Sequence, residues 1–126
     1  MGTIPRSQYI SSFLASYSLE KRKSQVEAIR NTYPDRIPIV IDRAPNTQIA
    51  EIKRHKFLVP SDITVSKFLY EILKHIEIDK SQSLFIFINN FIPPAGALVM
   101  DFYEKHKAED GFLYVLYAGE NTFGAP

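Results

Sequence analysis

Gly124 stands two residues from the end of the chain, after Glu120-Asn121-Thr122-Phe123 and before Ala125-Pro126. Glycine presents no side chain to an approaching active site, so its carbonyl can be reached by a protease. The freed carboxylate can then be reached by an activating enzyme. The chemistry this spacing predicts is therefore done to the chain and not by it: cleavage before Ala125, then bond formation at the Gly124 carboxyl. Ala125 and Pro126 stand in the way until removed. Upstream, Asp110-Gly111-Phe112-Leu113-Tyr114-Val115 reads as a buried strand that would hold this short polar tail at the protein surface.

Other chemistries find little support. The chain has no Cys, which removes disulfides, thiolate metal sites and a thioester of its own. His55, His75 and His106 belong to no nucleophile, base and orienter set. There is also no glycine-rich phosphate loop and no His-Glu-x-x-His. No catalytic residue, metal or cofactor is assigned, and the chain is not expected to be an enzyme. Its net charge is +1, yet residues 1–60 carry ten Lys or Arg against five Asp or Glu, while the remainder is acidic. Lys21, Arg22, Lys23, Arg30, Arg36, Arg54 and Lys56 are expected to form a basic surface suited to acidic segments of a partner. A pI near 7.9 and the lack of a recognition motif argue against nucleic acid. The longest apolar runs, 84–88 and 112–118, fall far short of the roughly 20 residues needed to span a bilayer. With no secretory signal, and Arg6 where myristoylation wants Ser or Thr, a soluble cytoplasmic chain is expected.

The elements that must position these residues follow from periodicity. Tyr9, Ile10, Phe13, Leu14 and Tyr17 recur with helical spacing, and Leu19, Arg22, Val26 and Ile29 continue a second stripe after Ser18, an N-cap type. Tyr33-Pro34-Asp35 breaks the pattern. Ile37, Ile39 and Ile41 then alternate as a strand in which Pro38 must sit where no ladder donor is needed. Residues 56–59 form a short strand flanked by charge, which predicts a sheet edge. Thr64 opens a helix carrying Val65, Phe68, Leu69, Ile72, Leu73 and Ile76, and a strand over 84–88 follows. A Pro93-Pro94 loop, a helix over 98–107 and a strand over 112–117 complete the order. This is one α+β domain with a four-stranded mixed sheet. Its central helix covers one face, and two additional N-terminal helices cover the other. The boundaries expected are an N-terminal helical extension at 1–32, a core at 33–123 and a processed tail at 124–126.

Six segments in order then resemble a known family. They are Tyr33-Pro34-Asp35-Arg36-Ile37-Pro38, Lys56-Phe57-Leu58-Val59-Pro60-Ser61-Asp62, Leu84-Phe85-Ile86-Phe87, Pro93-Pro94, Asp110-Gly111-Phe112-Leu113-Tyr114-Val115 and Glu120-Asn121-Thr122-Phe123-Gly124. Together they resemble the autophagy ubiquitin-like modifiers of the GABARAP and light chain 3 type, from about residue 19 to 124. The resemblance implies a ubiquitin-like β-grasp. It implies a processing cysteine protease that exposes Gly124, and activating and conjugating enzymes that pass it to phosphatidylethanolamine. The protein would be cytoplasmic before conjugation and lipid-anchored on the autophagosome membrane after it.

The resemblance also implies a docking site for cargo receptors. A peptide with an aromatic residue and, three positions on, an aliphatic one would add to the edge strand by β-augmentation. Carried over by position, the aromatic pocket uses Ile29, Pro38, Lys56, Leu58 and Phe112. The aliphatic pocket uses Phe57, Val59, Pro60, Ile63, Phe68 and Glu71, and Arg36 and Lys56 meet the ligand's acidic flank. Phe57 and Leu58 are expected to be exposed on opposite faces of the edge strand.

This chain departs from the family pattern at Glu71, where an aliphatic residue is usual, at Leu73-Lys74-His75, where an Arg-Lys-Arg run is typical, at Gln25, and in a longer, more apolar N-terminus. Tyr9, Ile10, Phe13 and Leu14 are expected to pack on the sheet. The rival reading is a ubiquitin-like adaptor in vesicle trafficking that is never lipidated.

Overall fold

A computed structural model describes residues 8–119. Two helices open the chain, α1 (Gln8–Ser16) and α2 (Leu19–Thr32). Between them Ser18 is extended, and its hydroxyl oxygen accepts the Lys21 N–H, so one orphan donor of the first turn is satisfied where a cap was expected. Strands β1 (Arg36–Arg43) and β2 (Lys56–Pro60) follow, then α3 (Val65–Leu73), β3 (Leu84–Phe87), α4 (Val99–His106) and β4 (Leu113–Gly119). Thr64 caps α3 as Ser18 caps α2, accepting from the Lys67 N–H at 3.1 Å.

The four strands form one mixed sheet in the order β2-β1-β4-β3. β1 and β4 run parallel at its centre, and β2 and β3 pair antiparallel on the outside. This is the β-grasp order. β1 is buried at every position from Ile37 to Asp42, as a strand covered on both faces must be. Its odd residues Ile37, Ile39 and Ile41 face α3, where Phe68 and Ile72 are buried with them, together with Leu113, Val115 and Tyr117 of β4. On the other face Val40 and Phe112 pack with Ile10 and Phe13 of α1 and Val26 of α2. Phe13 is 4% exposed and meets Phe112 edge to face at 5.6 Å. A fully buried phenyl contributes roughly 2 kcal/mol, and α1 is held on the sheet by such contacts.

Asp42 holds the start of α1. One of its carboxylate oxygens accepts the backbone N–H of Tyr9 at 2.8 Å and of Ile10 at 3.3 Å, an anion placed at the positive end of the helix. Tyr9 stacks on His55 with ring centroids 3.8 Å apart.

Three details differ from the sequence reading. Phe112 precedes β4 instead of starting it, because Gly111 takes a φ of +95° and turns the chain there. A Cβ at Gly111 would lie 2.7 Å from the Val26 side chain, so glycine is required twice over. Arg22, expected on the basic surface, is drawn inward by Asp110: Nε lies 2.8 Å from Oδ2, and the carboxylate is 2% exposed. Finally β3 ends at Phe87, one residue short of the strand expected over 84–88, because Asn89 and Asn90, both with positive φ, turn the chain so that Ile88 bridges only to Phe91.

Candidate functional site

β2 is a free edge of the sheet among the described residues, and its hydrogen-bond phase decides what that edge offers. Ile41 N–H donates to His55 C=O at 2.7 Å. Antiparallel pairs alternate between bonded and unbonded. The register Val40↔Lys56 and Pro38↔Leu58 therefore marks the unbonded pairs, and Ile39↔Phe57 and Ile37↔Val59 the bonded ones. Two consequences follow. Pro38 sits where its missing N–H costs the β1–β2 ladder nothing, and Lys56 and Leu58 turn their N–H and C=O groups outward, ready for another strand.

Side chains on β2 alternate in the other sense. Lys56 and Leu58 point to the α1/α2 face with Pro38, and that face also holds Ile29 of α2 and Phe112. Phe57 and Val59 point to the α3 face with Ile63 and Phe68. The residues assigned to the aromatic pocket are thus brought to one face, and Phe57, Val59, Ile63 and Phe68 of the aliphatic set to the other; Pro60, assigned to that second set, pairs with Arg36 and by strand parity falls on the Lys56 and Leu58 face instead. A strand added alongside would send residues i and i+3 to opposite faces, about 10 Å apart along its length. That is the spacing of an aromatic-x-x-aliphatic ligand.

Exposure within the two sets is uneven. Phe112 is 2% and Phe68 1% exposed, so both are floor. Phe57 is buried, against expectation, because it meets Phe68 edge to face at 6.1 Å and His75 at 5.3 Å. Val59, Ile63 and Pro38 are buried as well, whereas Ile29 and Leu58 are half-buried and Lys56 and Pro60 are exposed. Glu71 of α3 is half-buried, with both carboxylate oxygens 3.3 Å from Lys74 Nζ. It is a paired carboxylate.

The floor of the aromatic side is fixed by Asp110. Its Oδ1 accepts the Phe112 N–H at 2.9 Å, and its Oδ2 accepts both Arg22 Nε and the Tyr114 hydroxyl. Burial, and then the bond to this carboxylate, push the Tyr114 phenol well above its ordinary value. Arg22 also donates to the carbonyls of Leu14 and Tyr17. One buried ion pair therefore ties the α1–α2 corner to the residue beneath the pocket.

Two groups of residues at this edge were not singled out from the sequence. Phe13 and Tyr17 of the α1 region hold Lys56, whose ammonium lies 4.5 and 5.9 Å from their ring centroids. Arg54, counted only among the basic residues, donates from Nε to the Lys56 C=O at 3.0 Å and lies over the Phe57 ring. The signal for both was present only as residue type, since their placement depends on how residues 44–55 return to the edge.

Asp42, Glu51 and His55 bring three ligand-type atoms within 4.8 Å of one another. Asp42, however, already accepts from the backbone of Tyr9, Ile10 and Arg43, and His55 Nδ1 lies 2.9 Å from Ile41 C=O. The group is engaged in holding α1. No helix among the described residues is long and apolar enough to cross a membrane. Gly124, Ala125 and Pro126, the residues of the expected cleavage, lie outside the described residues.

Comparison with known proteins bears on this arrangement directly. Residues 21–124 match the family model "Autophagy protein Atg8 ubiquitin like". The chain is 48% identical over 118 residues to autophagy-related protein 8 of Dictyostelium discoideum, covering 93% of this chain and 97% of that protein. It is 49% identical over 114 residues to autophagy-related protein 8 of Schizosaccharomyces pombe, covering 90% and 94%. Among solved structures, Trypanosoma brucei ATG8 superposes with a TM-score of 0.84 at 40% identity, covering 95% of this chain and all of that one. Plasmodium falciparum Atg8, solved in complex with a Plasmodium falciparum Atg3 peptide, superposes with a TM-score of 0.74 at 34% identity, covering 82% and 92%. The chain belongs to the Atg8 family of autophagy ubiquitin-like modifiers.

Proposed function

We propose that the chain is trimmed after Gly124 and conjugated through that glycine to phosphatidylethanolamine, and that its β2 edge docks peptides of the aromatic-x-x-aliphatic type. The observation that carries the docking half is the free β2 edge between two apolar sets on opposite faces of the sheet. Support for the tail half is chemical. The family match ends at Gly124, with Ala125 and Pro126 beyond it, and a glycine carboxyl is the least hindered terminus an activating enzyme can meet. A cysteine protease, activating and conjugating enzymes and cargo receptors are the partners this reading requires. The relative solved with an Atg3 peptide supports a peptide-docking role for the fold. Two acyl chains would stably anchor the protein, whose described residues include no spanning helix, on the autophagosome membrane.

Mass spectrometry of the protein recovered from cell membranes tests the tail. The expected species ends at Gly124 and carries the mass of a phospholipid, and Gly124→Ala abolishes it. Recovery of only the 126-residue chain would overturn conjugation and favour a non-lipidated adaptor in vesicle trafficking. Loss of peptide binding on Leu58→Arg tests the docking half separately.

A further inference from the structure

His55 joins α1 to the sheet through a ring that two carboxylates flank. Its backbone C=O accepts the Ile41 N–H at 2.7 Å, and its Nδ1 lies 2.9 Å from the Ile41 C=O. A carbonyl only accepts, so Nδ1 holds a proton there. Asp42 Oδ1 lies 3.6 Å from Nδ1, and Glu51 Oε2 lies 3.3 Å from Nε2 on the other side of the ring. The side chains of His55 and Asp42 are 13% and 3% exposed, whereas that of Glu51 stands mostly in solvent. Tyr9 of α1 lies flat on the imidazole, with 3.8 Å between centroids and 4° between planes, and the same Asp42 accepts the Tyr9 and Ile10 N–H groups. We propose that His55 is a proton-operated clasp: a proton taken up at Nε2 fastens α1 to the sheet, and its loss loosens α1. The clasp goes beyond the docking and conjugation readings and does not depend on them.

The proton decides what the Nε2 side of the ring can do. With Nδ1 protonated toward Ile41, a neutral ring turns a lone pair at the Glu51 carboxylate, acceptor against acceptor. That contact is repulsive, and exposed Glu51 escapes it into water. When Nε2 takes a proton from solvent, the ring gains one positive charge, donates to Glu51 in a charge-assisted bond and faces Asp42 as a cation. The π face of Tyr9 then lies on a cation in place of a neutral ring. Among the charged neighbours, Arg43 Nη1 is turned to the Ile49 C=O and Arg54 Nε to the Lys56 C=O. The Tyr9 phenol, raised by burial and then by Asp42, stays neutral throughout. Because the charged ring meets Tyr9 only while α1 is in place, docking of α1 and proton uptake at His55 reinforce each other. α1 is therefore held most firmly on the acid side of the histidine range, and the hold weakens as pH rises through it. Loosening α1 uncovers the face of the sheet where Ile10 and Phe13 close over Val40 and Phe112.

Hydrogen exchange of the full chain, read by mass spectrometry at about pH 5.5 and about pH 8 and corrected for the chemical exchange rate, tests this. The opening constant of the α1 amides is expected to rise about three- to tenfold from the acid to the alkaline sample, the scale of one cation–π contact and one partly exposed ion pair. The α3 amides should show no matching rise. Glu51→Gln alters an exposed side chain and offers an oxygen to the protonated ring and an N–H to the neutral one, so the α1 response should shrink to less than about twofold. His55→Phe keeps a ring under Tyr9 with no proton to gain, and its α1 opening should be the same in both samples. In the wild-type chain, long-range proton–nitrogen NMR should find the His55 proton on Nδ1 in the alkaline sample, and the α1 amide shifts should follow the titration of the His55 ring and not those of His75 or His106. An α1 response matched in α3, one that persists undiminished in either variant, or α1 shifts that do not move with the His55 ring would each overturn the clasp.

Discussion

Replacing Arg22 by Met strips the buried Asp110 of its cation while keeping most of the aliphatic stem in place. The carboxylate is 2% exposed and would keep two donors, the Phe112 N–H and the Tyr114 hydroxyl. Removing one member of a buried pair costs about 3–5 kcal/mol. Two surviving donors place this case at the low end, near 3 kcal/mol. The guanidinium bonds to the Leu14 and Tyr17 carbonyls go as well, and since Tyr17 is exposed they add about 1 kcal/mol. The expected loss is therefore about 3–4 kcal/mol, a large share of a domain's stability. Urea unfolding followed by far-UV circular dichroism measures it, the chain having no Trp. Asp110→Asn and the double variant complete a cycle, in which the coupling between the two side chains should exceed about 2 kcal/mol. A loss under 1 kcal/mol with coupling near zero would mean that the pair is solvated and that Phe112 is held by packing alone.

Leu58→Arg places a charge where the ligand's aromatic residue would bury it, at a cost of several kcal/mol, so calorimetry should find no binding of acidic aromatic-x-x-aliphatic peptides; unchanged affinity removes the site from β2. Glu71→Val removes a carboxylate whose ion pair with Lys74 is partly exposed and worth at most about 1 kcal/mol. It should tighten aromatic-x-x-Leu peptides by roughly 0.5–1.5 kcal/mol through one or two methylenes of new contact, and equal or weaker binding would mean the pocket lies elsewhere. Burial pushes the Tyr117 phenol up to about 12, and its O–H donates to Ala50 C=O at 2.7 Å. The native state thus holds this proton longer than the unfolded chain does. The contribution is complete below pH 10 and disappears as pH rises through 12, about 2–3 kcal/mol in all. Thermal melting between pH 8 and 12 should show a decline to which the raised phenol of Tyr114 also contributes, and Tyr117→Phe should make it shallower; an identical slope in the variant would assign the alkaline loss to other groups.

Much of the fold is legible because local signals agree with it. Ser18 and Thr64 cap the helices they were expected to cap, the alternation of Ile37, Ile39 and Ile41 reports one buried face, and the charge around residues 56–60 marks β2 as an edge. The misplacements share a cause. Arg22 and Phe57 were read by residue type or local exposure, whereas their burial is decided by distant partners: Asp110 in one case, Phe68 and His75 in the other. The start of β4 was missed for a local reason, the positive φ of Gly111, which an apolar run cannot report. Asn89-Asn90 did carry a readable turn signal, since Asn tolerates a left-handed backbone better than other residues with side chains.

The candidate site divides along the same line. Its apolar members can be carried over by position because they occupy a fixed parity on a strand or a fixed turn of a helix, or, as with Ile63 and Phe112, lie within two residues of one. The polar members at the edge cannot. Whether Arg54 faces solvent, Phe57 or the Lys56 carbonyl depends on the path of residues 44–55, which form no helix or strand. The same dependence makes the edge adjustable. A substitution in that connection can change which cation lies on the β2 acceptors while leaving the pocket floors, Phe112 and Phe68, in the core. Ligand preference can then shift without the stability cost that accompanies a change of core residue, so differences in peptide selectivity should trace to this loop and to Glu71 before they trace to the floors.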